Sequence, residues 1–114
     1  MKPTIQEFEA IKKFLCFSGY DIIECIDDVI VAVTDEDDED ILVFIKTEIT
    51  DNVSDATFDR SEFEALVALW LRENAKDLPC MEIRGDLISM QVIGDCKGFL
   101  RHWVGASRAE KESL

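Results

Sequence analysis

The chain has 114 residues, enough for one domain with a real core and too few for two. Hydrophobic residues make up 47% and charged residues 32%, a globular composition that excludes disorder. Acids outnumber bases 25 to 12, for a net charge of −13, which repels phosphate backbones and anionic membranes and argues against unaided nucleic-acid binding.

Met1-Lys-Pro-Thr leads straight into Glu7 and Glu9 without an apolar leader. The longest apolar run, Leu66 to Leu71, is far shorter than the roughly 20 residues that cross a bilayer. A cytoplasmic protein is expected. Thr4-Ile-Gln-Glu7 has capping-box spacing, and Ile5, Phe8, Ile11 and Leu15 recur at helical intervals. A first helix is predicted over about residues 4 to 18, ended by Gly19 as a left-handed cap.

Tyr20 to Ile26 and Val29 to Val33 are β-rich and flank Asp27-Asp28, which predicts a hairpin. The acidic run Asp35 to Asp40 follows. It lacks the glycine and terminal glutamate of a calcium loop, so it is read as a solvated hairpin tip. Ile41 to Ile45 is apolar at every position and rich in β-branched and aromatic residues, the pattern of a central strand covered on both faces. Lys46, Thr47 and Glu48 come next, at the point where that strand is expected to surface.

Residues 50 to 60 are polar and turn-forming and read as a mobile loop. Ser61-Glu-Phe-Glu64 repeats the capping-box spacing, and Phe63, Leu66, Val67, Trp70 and Leu71 form one stripe of a second helix ending near Ala75. Residues 81 to 93 predict a strand with a bend at Gly85, and 94 to 98 a hairpin loop. Phe99 to Val104 alternates as a last strand, and the end of the chain reads as a tail. Cys16, Cys25, Cys80 and Cys96 form no CxxC pair, so buried reduced thiols are expected and a zinc site is not. The single histidine, His102, falls in an alternating strand, where a packing or surface role is expected.

Several segments carry a resemblance. Gly19-Tyr20-Asp-Ile-Ile23, Val31-Ala32, Leu42-Val43-Phe44-Ile45, Ile83-Arg84-Gly85-Asp86-Leu-Ile88 and His102-Trp-Val-Gly-Ala106 resemble segments of the YraN-type family of endonuclease-related proteins. The resemblance implies a restriction-endonuclease-like core over residues 1 to 107, with 108 to 114 as a flexible tail. The expected architecture is α/β, a mixed five-stranded sheet flanked by two helices in the order αβββαββ. Enzymes of that fold hold Mg²⁺ or Mn²⁺ on an Asp and a Glu at adjacent strand ends, with a Lys to activate water. In this chain the family's helix-one Glu falls at Phe8, its second-strand Asp at Val29, and its Glu-x-Lys reads Lys46-Thr47-Glu48, with the charges exchanged. A two-residue deletion would instead keep Lys46 in place and put Phe44 where the Glu belongs. The family's second-helix region tends to be basic, whereas here it carries Glu62, Glu64 and Glu73 against Arg60 and Arg72.

The expectation is therefore a nuclease-like domain with a degenerate site, non-catalytic, without a cofactor, acting through a protein partner or self-association. One alternative is a divergent nuclease with Asp27, Asp28, Lys46 and Glu48 as catalytic residues and Mg or Mn held by Asp28 and Glu48. Another is an acidic DNA mimic, carried by charge alone.

Overall fold

The computed structural model describes residues 3–50, 60–74, 82–93 and 97–108. Helix α1 spans Ile5–Phe17 and strand β1 Asp21–Ile26, followed by β2 (Val29–Glu36) and β3 (Glu39–Thr50). Helix α2 (Arg60–Asn74) leads to β4 (Glu82–Ile93) and β5 (Lys97–Arg108). The order is the expected αβββαββ.

The ends of α1 follow from local chemistry. Thr4 Oγ1 accepts from the Glu7 amide at 3.2 Å, while the Glu7 carboxylate accepts from the Thr4 amide at 2.8 Å. This reciprocal pair satisfies two amides that the helix leaves open. At the other end Gly19 adopts φ +90°, its amide bonding Cys16 O at 3.2 Å and the Tyr20 amide bonding Leu15 O at 2.9 Å. Those two bonds are a Schellman closure, and they turn the chain directly into β1.

The sheet runs β1-β2-β3-β4-β5, antiparallel throughout except for the parallel β3–β4 pair. A parallel pair needs a crossover, which α2 supplies. The β1–β2 turn places Asp27 at φ 55°. The β2–β3 turn is tighter than a solvated loop: both strands continue into the acidic run, leaving Asp37 and Asp38, at φ 53° and 66°, as a two-residue turn. Asp35 and Asp40 then face each other across the ladder, and their hydrogen bond and mutual repulsion push the Asp35 carboxyl above its usual range.

Strand β3 is central and buried on both faces. Ile41, Val43 and Ile45 meet Ile30, Ala32 and Ile88 under Ile11 and Leu15 of α1. Leu42 and Phe44 meet Val29 and Val31 on the opposite face, under Phe63 and Trp70 of α2. Phe44 is fully buried and meets the Trp70 ring edge-to-face at 5.4 Å. The β3 segment is therefore the middle layer of an α/β/α sandwich.

Four details differ from expectation. Helix α2 begins at Arg60, so Ser61 lies in its first turn instead of capping it. Strand β5 continues through Ser107 and Arg108, which pair with Gly85 and Arg84, so the strand takes Arg108, the first residue assigned to the tail. Cys16 and Cys25 are exposed, because Cys16 neighbours the inward Leu15 on the helix and Cys25 lies on the edge strand. The central strand does not surface at Lys46: Thr47, Glu48 and Ile49 remain buried, paired with Ile88, Ser89 and Met90 of β4 past the end of the β2–β3 ladder. The loop expected over 50 to 60, the hairpin loop near 94 to 98, Cys80, Cys96 and the end of the chain fall largely or wholly outside the described residues. The β4–β5 ladder shifts register after Gly85, but β4 pairs with β3 without a break there and the extra residues lie in β5, between Trp103 and Ser107. Among the described residues no helix is long and apolar enough to cross a membrane.

Candidate functional site

The strand register gathers most of the expected site at one end of the sheet. Asp28 ends the β1–β2 turn, and its carbonyl accepts from the Thr47 amide at 2.9 Å and from Thr47 Oγ1 at 2.7 Å. That double bond fixes the start of β2 against the far part of β3. The Lys46 ammonium donates to Asp28 Oδ2 in a partly buried ion pair. Alternation along β3 puts Lys46 and Glu48 on the same side as Phe44, the α2 side.

Glu48 is 7% exposed, and Ser89, directly opposite on β4, donates to its carboxylate. The other oxygen, Oε1, is buried without a partner. Burial raises the Glu48 pKa, and the nearby Lys46 charge and the Ser89 hydroxyl only partly offset it. Asp27 is exposed. With Asp28, Phe8 and Glu9 it lines a hollow of about 220 Å³ at the start of α1.

Asp28, Lys46 and Glu48 thus share a strand end, and Phe8 borders the same hollow as Asp28. The donor set does not fit a divalent cation as it stands. One Asp28 oxygen is already committed to an ammonium, the helix contributes a phenyl ring, and Glu48 Oε1 is buried without a partner. Among the described residues no group of three or more His, Cys, Asp and Glu side chains is placed to hold a metal.

A second polar cluster lies on the α1 face of the same sheet. Asp86, fully buried on β4, accepts from Arg84 Nε (2.9 Å) and Nη2 (3.0 Å), from Tyr20 Oη (3.2 Å) and from the Gly105 amide (2.9 Å). His102 Nε2 lies 2.7 Å from Asp86 Oδ2 and donates to it. Arg84 also reaches Tyr20 Oη at 2.6 Å and Glu36 at 2.9 Å. His102 packs against the rings of Tyr20 and Phe14 at 5.6 and 6.0 Å.

Burial pushes the Asp86 carboxyl upward, but the bonds from His102, Arg84 and Gly105 outweigh it and hold the group below its ordinary range. Burial and the Asp86 charge push Tyr20 up to about 12. Every strong acceptor position of Asp86 is used by the protein itself. This cluster joins β4, β5, the β2 end and the α1–β1 junction, and it leaves no carboxylate oxygen for a substrate.

A packing or surface role was expected of His102, and no role of Asp86 or Tyr20. The one local signal was Arg84 and Asp86 two positions apart on a predicted strand, on the same face. No family model matches the chain, and no curated protein matches it.

Proposed function

We propose that this is a restriction-endonuclease-like domain whose hydrolytic site has degenerated and which works through protein contacts. The observation that carries the reading is the Lys46–Asp28 ion pair, a cationic head group seated where the fold would gather carboxylates. Val29 and Lys46, the positions that a gapless alignment assigns to the family's two metal-binding carboxylates, lie directly opposite each other in the β2–β3 ladder. An apolar side chain and an ammonium thus occupy both. The strand order, with one parallel pair bridged by a helix, supports the fold part of the proposal. Exposed Glu62, Glu64 and Glu73 on α2 oppose binding of a phosphate backbone. The proposal keeps the protein in the cytoplasm, without a cofactor.

The test is cleavage of single- and double-stranded DNA with manganese or magnesium. Intact DNA after prolonged incubation is expected. Cleavage that Glu48→Ala abolishes would overturn the proposal and install the second reading, a divergent metal-dependent nuclease. One observation favours that reading: Glu48 Oε1 is open and buried, two positions from Lys46 at the strand end that also holds Asp28. The acidic DNA-mimic reading rests on the net charge alone and predicts a basic partner released by salt.

A further inference from the structure

On the reading above, that this strand end no longer hydrolyses DNA, we infer that the Lys46 ammonium serves as a tethered counter-ion for two buried carboxylates, Asp28 and Glu48, and keeps a divalent cation from the place it occupies.

Asp28 is 8% exposed and Glu48 7%. Both are held by groups other than the lysine. The Asp28 carbonyl accepts from the Thr47 amide and from Thr47 Oγ1, at 2.9 and 2.7 Å, and Ser89 donates to the Glu48 carboxylate. Lys46 bonds Asp28 Oδ2 directly, and its charge also acts on Glu48, two positions on along the same side of β3. Among the described residues one ammonium thus faces two carboxylates, and Glu48 Oε1 stays buried without a partner.

Buried carboxylates require a counter-charge, and the requirement does not depend on which cation meets it. With the ammonium removed, Asp28 and Glu48 keep their anchors and lose their shared positive charge. They then form an all-oxygen pair of the kind that holds Mg²⁺ or Mn²⁺, with water completing the shell. Asp28 also lines the hollow of about 220 Å³ at the start of α1, which gives an ion a way in. The strand end is therefore a cation site whose cation is carried on the chain itself. That covalent arm makes the fold indifferent to metal supply, and one change of side chain should reverse it.

The test is thermal unfolding of the purified full chain in EDTA and in a titration with MnCl₂, for wild type, Lys46→Met and Lys46→Met/Asp28→Asn. Methionine keeps the unbranched stem without its charge. Wild type should melt at the same temperature in Mn²⁺ as in NaCl of equal ionic strength. Lys46→Met should melt about 10–20 °C lower in EDTA, the scale of leaving buried charge uncompensated. Mn²⁺ should then raise its Tm by a similar step for each tenfold increase in concentration, the signature of a ligand held by the folded state alone. Lys46→Gln should behave as Lys46→Met does, and the double variant should lose the response.

Wild type stabilised by Mn²⁺ beyond the salt control overturns the inference, because the ammonium would then leave room for the ion. A chain with methionine or glutamine in place of Lys46 that ignores Mn²⁺, or stays unfolded in its presence, overturns it as well. If such a chain ignores the ion while wild type leaves DNA intact, the counter-ion role falls and the non-catalytic reading stands. Cleavage of DNA by wild type sinks that reading, whatever the melting temperatures do.

Discussion

Arg84 and Asp86 stand two residues apart on β4 and clasp each other with two hydrogen bonds, Nε to Oδ1 at 2.9 Å and Nη2 to Oδ2 at 3.0 Å. Strand alternation puts both on the α1 face, so the pair forms without bending the backbone. Alone, a buried ion pair is a doubtful source of stability, because desolvation takes back most of the attraction. Here Tyr20, His102 and the Gly105 amide complete the carboxylate's bonding, and Tyr20 and Glu36 occupy further donors of the guanidinium. The cluster is a fastening of four parts of the chain.

Asp86→Asn should therefore destabilise the fold by about 3–5 kcal/mol, since it takes the buried counter-charge from Arg84 and leaves only the more exposed Glu36. Urea unfolding at neutral pH measures it. The pH dependence follows from the depressed carboxyl. A carboxylate held below its unfolded pKa contributes stability that is complete above roughly pH 4 and is lost as pH falls through the folded value. Wild type should lose stability in acid more steeply than Asp86→Asn does. Parallel acid limbs for the two proteins would remove Asp86 from this role.

Tyr20 is the chain's single tyrosine, so its ionisation can be followed without interference from another phenol. Burial, reinforced by the neighbouring Asp86 charge, pushes it up to about 12. Phenolate absorbance should stay absent well past the ordinary tyrosine range of about 10 and rise only near the alkaline end or with unfolding. A midpoint near the ordinary value would mean that the Tyr20 hydroxyl is solvated and unbound.

Glu48 works in the opposite sense. Its raised pKa, set chiefly by burial, means that the folded state binds a proton more tightly than the unfolded chain does. Stability from this group is full at low pH and declines as pH rises through the folded value. Glu48→Gln should stabilise the protein at pH 7 by about 1 kcal/mol, the scale of relieving one unsatisfied buried group, and have little effect near pH 4. Thermal unfolding at the two pH values checks this. Loss of stability at pH 7 would show that the negative charge itself is holding something in place.

A Cβ added at Gly19 would meet nothing within 4 Å, so steric crowding is not the issue there. The cost of Gly19→Ala comes from φ +90° alone and should be about 1–2 kcal/mol in chemical denaturation. A neutral result would mean that the helix ends in some other conformation.

Local chemistry was legible in the sequence. Thr4 and Glu7 announced the start of α1, Gly19 its end, and Ile41 to Ile45 the central strand, because each signal lies within a few residues. The stripe from Phe63 to Leu71 likewise named the buried face of α2. The pairing of Lys46 with Asp28 was not legible, although both residues had been singled out, because it depends on the β2–β3 register and on burial that continues past Ile45. Tyr20 and Asp86 are 66 residues apart and His102 lies still farther along the chain, and no spacing rule reads such a meeting. The exposure of Cys16 and Cys25 was misjudged because apolar neighbours in sequence are not neighbours in space. Cys16 is turned about 100° around the helix from Leu15, and Cys25 lies on the edge strand of the sheet.

The seam between β3 and β4 has a kinetic consequence. Residues 5 to 50 form a helix and a meander whose partners are close in sequence, and they can assemble quickly. The parallel ladder, matching Ile41 with Glu82 through Thr50 with Gln91, must wait until the intervening helix has crossed over. Until then one flank of an apolar five-residue segment stands open to any passing extended chain. Refolding yield should fall with protein concentration, because the vulnerable period is the delay before that last edge is closed.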